Sequence, residues 1–212
     1  MEFMKKNAGS EKEKWRGVMT LMGNDSLRLG PRLTSWIRKS PEKLVFSLAR
    51  YKFAAKMGSA GREILEWGCG EGTGAPILSE LAKGYMGIDA ESEAVSTARR
   101  LWTSKKRRFL DWNLLGNRLG DFDTIVSLGL VDSLPPRSYG LFFRTLALNL
   151  RRDGIAVVGA ANKAALPAQS LKKKMREFFE NVFLFAVDGE TVHTGVTPST
   201  RQVIALACNK RK

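Results

Sequence analysis

The stretch ILEWGCGEGTGAP, residues 64–76, decides the fold. A short apolar run enters an acid, Glu66. Glycines then stand at every second position, Gly68, Gly70, Gly72 and Gly74, and Pro76 opens the next segment. An apolar run, a glycine turn and a proline-led helix form one strand-turn-helix unit. In a doubly wound sheet, ligands bind outside the carboxyl ends of the strands, where this turn lies. Glycine is needed there because a Cβ would keep a ligand away from the backbone. Residues 70–75 fit the G-x-G-x-x-G/A dinucleotide pattern, so the loop by itself leaves its ligand open.

The surrounding chain repeats the unit. YMGIDA, RRFLDW, DFDTIVSLGL and IAVVGA read as further strands. Helices are expected over 74–83, ending before Gly84, over 91–102, and over 135–154, where Arg151 and Arg152 occupy the last turn. SLKKKMREFFE is a helix with its lysines in water and Met175, Phe178 and Phe179 toward the core. NVFLFAVDG and RQVIALAC close the chain as two strands with only a loop between them, which predicts an antiparallel finish. Three segments are expected: a disordered tail over 1–14, a helical cover over 15–60 and a core over 61–212.

Composition narrows the class. The 212 residues suffice for one well-buried domain. No apolar run approaches the roughly 20 residues of a membrane span, and the first residues lack the apolar core of a signal peptide. These observations place the protein in the cytoplasm. Cys69 and Cys208 suggest no disulfide framework, and a single histidine, His193, excludes a His-based metal cluster. The net charge is +14. Residues 1–62 hold 14 basic and 5 acidic residues, whereas 63–100 hold 3 and 7. A basic surface favours anionic partners, which are nucleic acid, phosphorylated sugars, nucleotide-linked sugars or acidic lipid faces, or else it serves solubility alone.

Three acids then separate the ligands. Glu66 lies inside the glycine motif, where a dinucleotide needs only the dipole of the next helix. A ligand with an ammonium group and ribose hydroxyls but no phosphate needs such an acid. Asp89, followed by Ala90 in GIDAE, ends the second strand 23 residues later. It can accept ribose hydroxyls, for a dinucleotide as well, or cap the next helix. Asp111 follows the third strand, where a carboxylate accepts an adenine amino group while Trp112 or Leu110 packs on the ring.

The order ILEWGCGEG, GID, an acid after strand three, FD with an apolar run to Ser127, and a terminal strand pair resembles class I S-adenosylmethionine-dependent methyltransferases. SPEKLVFSLARYKFAAKM and NVFLFAVDGETVHTG are similar to a small bacterial subgroup. The resemblance implies a Rossmann-like α/β fold with a seven-stranded sheet of order 3-2-1-4-5-7-6, strand 7 antiparallel, under an N-terminal helical cover. It implies S-adenosylmethionine as cofactor, held by Glu66, Gly68, Gly70, Gly72, Asp89, Ala90, Asp111, Trp112 and Ser127. Arg50 on the cover helix would reach the cofactor carboxylate, and Tyr51 would line the pocket.

One segment departs from the family. Relatives often read S-L-D-V-L-E-H after strand four, while this chain has Ser127-Leu128-Gly129-Leu130-Val131-Asp132-Ser133. The position credited there as a general base is weakened, which leaves Asp132 and His193 as the catalytic candidates. His193, in VHTG, is expected on the loop between the last strands, as a base near neutrality or as a structural hydrogen-bonding residue. LPPRSY (134–139) lacks the Asn or Asp and the aromatic residue that flank the prolines in enzymes methylating base amino groups; it reads as a helix start.

The expected function is methyl transfer, by in-line displacement, to an oxygen or nitrogen of an anionic small molecule or of a glycan or nucleotide-sugar precursor. An RNA methyltransferase is the alternative, favoured by the charge and by TSKKRR (103–108). A partner-dependent or non-catalytic binding protein ranks third and a nicotinamide oxidoreductase last.

Overall fold

The structure, a computed structural model, describes Ser10 and residues 29–163 and 165–211. The expected tail and the stretch 15–28 of the expected cover lie outside the described residues, Ser10 excepted. Helices α1 (Pro31–Lys39) and α2 (Pro41–Gly58) each begin on proline. Ser40 separates them, because the following Pro41 disfavours helical geometry at that position and suits the first helical one.

Strand β1 (Glu63–Trp67) then leads through the glycine loop into α3 (Ala75–Ser79), shorter than expected, and β2 begins soon after (Gly84–Asp89). Helix α4 (Ser92–Trp102), β3 (Arg107–Asp111) and β4 (Phe122–Leu128) come next. Two single 3-10 turns, Leu130–Ser133 and Pro136–Ser138, precede α5 (Tyr139–Asn149), so LPPRSY does open a helix. The chain ends with β5 (Leu150–Ala161), α6 (Ala168–Arg176), β6 (Phe179–Asp188), β7 (Thr191–His193) and β8 (Gln202–Lys210).

These strands form one sheet of order β3-β2-β1-β4-β5-β8-β6-β7. Pairs among β1 to β5 are parallel, and β8 runs antiparallel to both β5 and β6. The expected seven-stranded order is present, with β8 as its antiparallel seventh strand. The three residues of β7 extend the edge as an eighth strand, hairpinned to β6. Because β6 is antiparallel to β8, it is parallel to β5, and its carboxyl end lies on the same side as the glycine loop.

Both faces are covered. Leu65, Ile125, Phe142, Phe143, Leu146 and Phe179 pack on the α5–α6 side. Ile64, Tyr85, Val126, Val157 and Ile204 pack with Tyr51 and Ala54 of α2 on the other. Each fully buried side chain of this size stabilises the fold by roughly 1.5–3 kcal/mol.

Helix α5 stops earlier than the sequence pattern suggests. Arg151 and Arg152 belong to β5, where Leu150 pairs with Phe122 and Arg151 donates to Asp123. The buried Asn149 side chain fixes this exit. It donates to the carbonyls of Asn117 and Thr145 and accepts from the N–H groups of Leu119 and Gly120. Lys210 at the end of β8 donates to the Ala147 and Leu150 carbonyls at this helix end.

Candidate functional site

Strand β1 delivers Glu66 into the interior, where it is 1% exposed. Tyr85 of β2 donates its hydroxyl to Glu66 Oε2, and Tyr51 of α2 lies beside the same carboxyl. Burial pushes the carboxyl up to about 7; the two tyrosine hydroxyls pull it down and Asp89 pushes it further up. Burial and the neighbouring Glu66 hold both phenols well above their usual range. Glu66 Oε1 has no hydrogen-bond partner. A buried acceptor left unmatched costs roughly 1–3 kcal/mol, which a bound donor would recover.

The loop beside it is crowded from behind. Gly72 has φ +76°, and a Cβ there would stand 2.6 Å from Trp102 Cδ1. The Tyr51 ring lies directly against Gly74, so α2 seals the loop on one side. Asp89 joins the loop to α4: Oδ2 accepts from Gly70 N–H at 2.8 Å and Oδ1 from Glu91 N–H at 3.0 Å. Asp89 therefore braces the glycine loop against the residue that caps α4; that N-cap is Glu91, not Asp89 as the capping alternative has it.

Asp111 stands in register with Asp89 across β2 and β3, which puts the two backbones about 5 Å apart. The Trp112 N–H donates to the Asp89 carbonyl at 2.9 Å. Ala90 and Asp111 are exposed, and Trp112 is half-buried. Asp89, Ala90, Asp111 and Trp112 thus form one strip along two adjacent strand ends. A ligand reaching from Glu66 to Asp111 would cross the glycine loop and Asp89 on its way.

Sequence reasoning missed Glu71. Its carboxylate accepts from the N–H groups of Arg32 and Leu33, at 2.8 and 3.2 Å, and so caps the start of α1. Its carbonyl accepts from the Trp102 indole. The second variable residue of the glycine motif thereby locks the cover helix onto the loop. Nothing local in the motif signals this, because the partners lie 38 and 39 residues away.

Ser127 and Glu66 do not converge. Glu66 is in register with Val126, so Ser127 points to the α5–α6 face. Its hydroxyl is buried there without a partner. Gly129 comes two residues later with φ +103°, a conformation that suits glycine and disfavours the acid found in relatives. It caps the 3-10 turn that carries Asp132. Both oxygens of Asp132 accept from the Ala161 N–H at 3.0 Å. Burial raises the Asp132 carboxyl, while that N–H and the charges of Lys163 and Arg50 draw it back partway.

Arg50 connects the two ends of the site. Burial lowers its guanidinium from the usual value, while Tyr51 and Asp132 act to raise it. Its Nε is buried without a partner.

His193 sits on β7 rather than on a loop. Its Nε2 is 2.7 Å from Asp188 Oδ2, and its Nδ1 accepts from the Gly195 N–H at 3.1 Å. With Nδ1 accepting, the neutral ring carries its proton on Nε2 and donates it to Asp188. No lone pair is then free, and a base role would require the Gly195 bond to break. His193 thus makes the hydrogen bonds of the structural reading, from a strand rather than from the expected loop. Among the described residues, no group of three or more His, Cys, Asp and Glu side chains is arranged to hold a metal. No helix there is long and apolar enough to cross a membrane.

The sheet order, the antiparallel β8 and the glycine loop at the carboxyl edge define the class I S-adenosylmethionine-dependent methyltransferase fold. Solved structures share it across nearly the whole chain. A TehB-like SAM-dependent methyltransferase from Corynebacterium glutamicum superposes with a TM-score of 0.64 at 19% identity, covering 94% of this chain and 96% of that one. The N-methyltransferase NodS from Bradyrhizobium japonicum gives 0.61 at 17%, covering 82% and 99%. DhpI in complex with SAH gives 0.65 at 13%, covering 84% and 91%. A probable S-adenosylmethionine-dependent methyltransferase from Mycolicibacterium smegmatis is 27% identical over 104 residues, 49% of this chain and 40% of that protein. The matched segment thus spans less than half of that curated relative. No family model matches the chain.

Proposed function

We propose that the chain is an S-adenosylmethionine-dependent methyltransferase acting on an oxygen or nitrogen of an anionic small molecule or glycan precursor. The observation that carries this reading is Glu66: a buried carboxylate with an unmatched oxygen under a glycine loop, flanked by Asp89 and Asp111 in register. A ligand with an ammonium group, two ribose hydroxyls and an adenine amino group offers donors to all three. A dinucleotide leaves Glu66 unmatched. When bound, the cofactor supplies a methyl group on a sulfonium that leaves as a neutral thioether.

The chain's residues divide the remaining work. Glu66 meets the ammonium group, Asp89 the hydroxyls and Asp111 the adenine, with Trp112 against the ring. Arg50 turns toward the carboxylate end, and Tyr51 closes the loop from above. Asp132, its carboxyl raised by burial, takes the proton that the acceptor gives up as its lone pair forms the new bond. Alignment supplies most of the acceleration in such a displacement. His193 fixes the β6–β7 turn through Asp188 rather than moving a proton.

The RNA reading has less support. In TSKKRR, Arg107 opens β3, which puts the run at the amino ends of the strands, opposite the glycine loop. Calorimetry with S-adenosylhomocysteine and NAD tests the proposal. S-adenosylhomocysteine should bind, Asp89→Ala should weaken it by roughly 10- to 100-fold, and NAD should not compete. Tight NAD binding without a response to S-adenosylhomocysteine would overturn it.

A further inference from the structure

A cleft of about 590 Å³ opens between the cover helices and the last strands. Trp36 of α1 and Lys43, Phe46 and Arg50 of α2 form one wall; Val187, Asp188 and Gly189 end β6 beneath it, and Arg201 and Gln202 lead into β8. The cleft therefore lies on the carboxyl edge of the sheet. Arg50 lines it and also adjoins Asp132 and Tyr51, which makes the cleft continuous with the site described above.

Its charge is unbalanced. Lys43, Arg50 and Arg201 share its lining with a single acid, Asp188, and that acid is engaged by His193. Among the described residues, no ion pair neutralises any of the three cations. Converging like charges cost energy, and an anion seated between them relieves that cost. Arg201 offers the fork geometry that suits a carboxylate or a phosphate, and Lys43 a mobile point charge. Trp36 is only partly buried, and Phe46 keeps 37% of its surface exposed, so the same cleft offers aromatic faces to an apolar body. The volume lies within the roughly 300–1,000 Å³ of small-molecule sites and is too small for a folded partner.

We propose that this cleft holds the acidic end of the methyl acceptor, a carboxylate or phosphate carried on a flat apolar body, on Lys43 and Arg201. The inference rests on the methyltransferase reading for the word acceptor; the anion site stands or falls separately. It assigns His193 and Asp188 a definite task. Their hydrogen bond engages the single acid of the cleft, so that it does not compete with the incoming anion for Lys43 and Arg201.

Calorimetry on the full chain, with and without S-adenosylhomocysteine, tests it with phenyl phosphate, benzoate and the neutral benzyl alcohol as probes. The acidic probes should bind one to a chain and benzyl alcohol far more weakly. Lys43→Ala and Arg201→Ala should each weaken the acidic probes about tenfold and leave S-adenosylhomocysteine affinity unchanged. Both side chains are exposed, and thermal unfolding checks that the variants remain folded. Replacing Lys172, Lys173 and Lys174 of α6 with alanine removes more positive charge from the other face and should change nothing. Equal affinity for the acidic and neutral probes, or equal loss in the α6 variant, would overturn the cleft assignment. If the unaltered chain bound phenyl phosphate but no S-adenosylhomocysteine, the anion site would stand and the methyltransferase reading would fall.

Discussion

Glu66 and Arg50 both neighbour Tyr51, yet the ground around each differs. Around Glu66 the chain is buried, acidic and contiguous: β1, its loop and the ends of β2 and β3, all within residues 63–112. Around Arg50 it is open and basic, assembled from α1, α2, the end of β6 and the start of β8. Under the proposed function, the first region suits a cationic, hydroxyl-rich ligand and the second an anion. A transferase that pairs one fixed donor with a particular acceptor needs this asymmetry. The donor side can be a rigid motif, while the acceptor side is built where loops and cover helices can vary.

Rigidity is the sharpest point of contrast. Gly72 combines a left-handed backbone with a wall of aromatic carbon at its back, whereas Gly129 has the backbone conformation but open space around it. Gly72→Ala should therefore cost about 2–4 kcal/mol, strain plus overpacking, and abolish measurable S-adenosylhomocysteine binding. Gly129→Ala should cost only the strain, about 1–2 kcal/mol. Urea unfolding of both variants measures the difference. Equal costs would mean that the two loops are equally tolerant and the comparison is wrong.

Charge gives a smaller effect. Burial holds the Glu66 carboxyl near 7 against an ordinary 4.5. Between those values the folded chain keeps a proton that the unfolded chain has released. The stability this contributes is complete below pH 4.5 and is lost as the pH rises through 7. A bound ammonium group favours the charged carboxylate, so binding should expel the proton. S-adenosylhomocysteine affinity should then rise with pH, by up to about tenfold per unit, and level off above about 7. Glu66→Gln should flatten that profile. A profile unchanged by the substitution would remove Glu66 from the donor side.

The same contrast explains what the sequence could disclose. The glycine loop, Glu66, Asp89 and Asp111 are legible because strand ends and turns impose local residue types. Alternation and the terminal pair give a parallel sheet with an antiparallel finish, and the order of the seven main strands comes from the resemblance to class I methyltransferases. Three features are not local and stay hidden. Strand β7 is three residues long and exists because Gly189, with φ +60°, turns the chain back onto β6. Arg151 joins β5 because Asp123 waits across the sheet, which overrides a helical pattern. The cleft draws its cations from positions 43, 50 and 201, which no sequence window contains. The partners of His193 are hidden in the same way: the residue is visible, but Asp188 and the Gly195 N–H that occupy its nitrogens are not.

Glu71 supplies the smallest predicted effect and the most direct link between the two regions. Its carboxylate holds the first turn of α1, the helix that carries Trp36 into the cleft, while its backbone belongs to the glycine loop. Glu71→Ala removes an acceptor from two helix N–H groups and should cost about 1 kcal/mol, as losing a helix cap does. The loss should be local. Amide exchange should speed up in α1 and leave β1 and β4 protected, because the sheet does not depend on the cap. If Glu71 couples the regions, the variant should also weaken phenyl phosphate in the cleft by a few-fold while binding S-adenosylhomocysteine nearly as well. If exchange rose uniformly across the sheet, Glu71 would be a core stabiliser, and the cover helix would answer to the cleft alone.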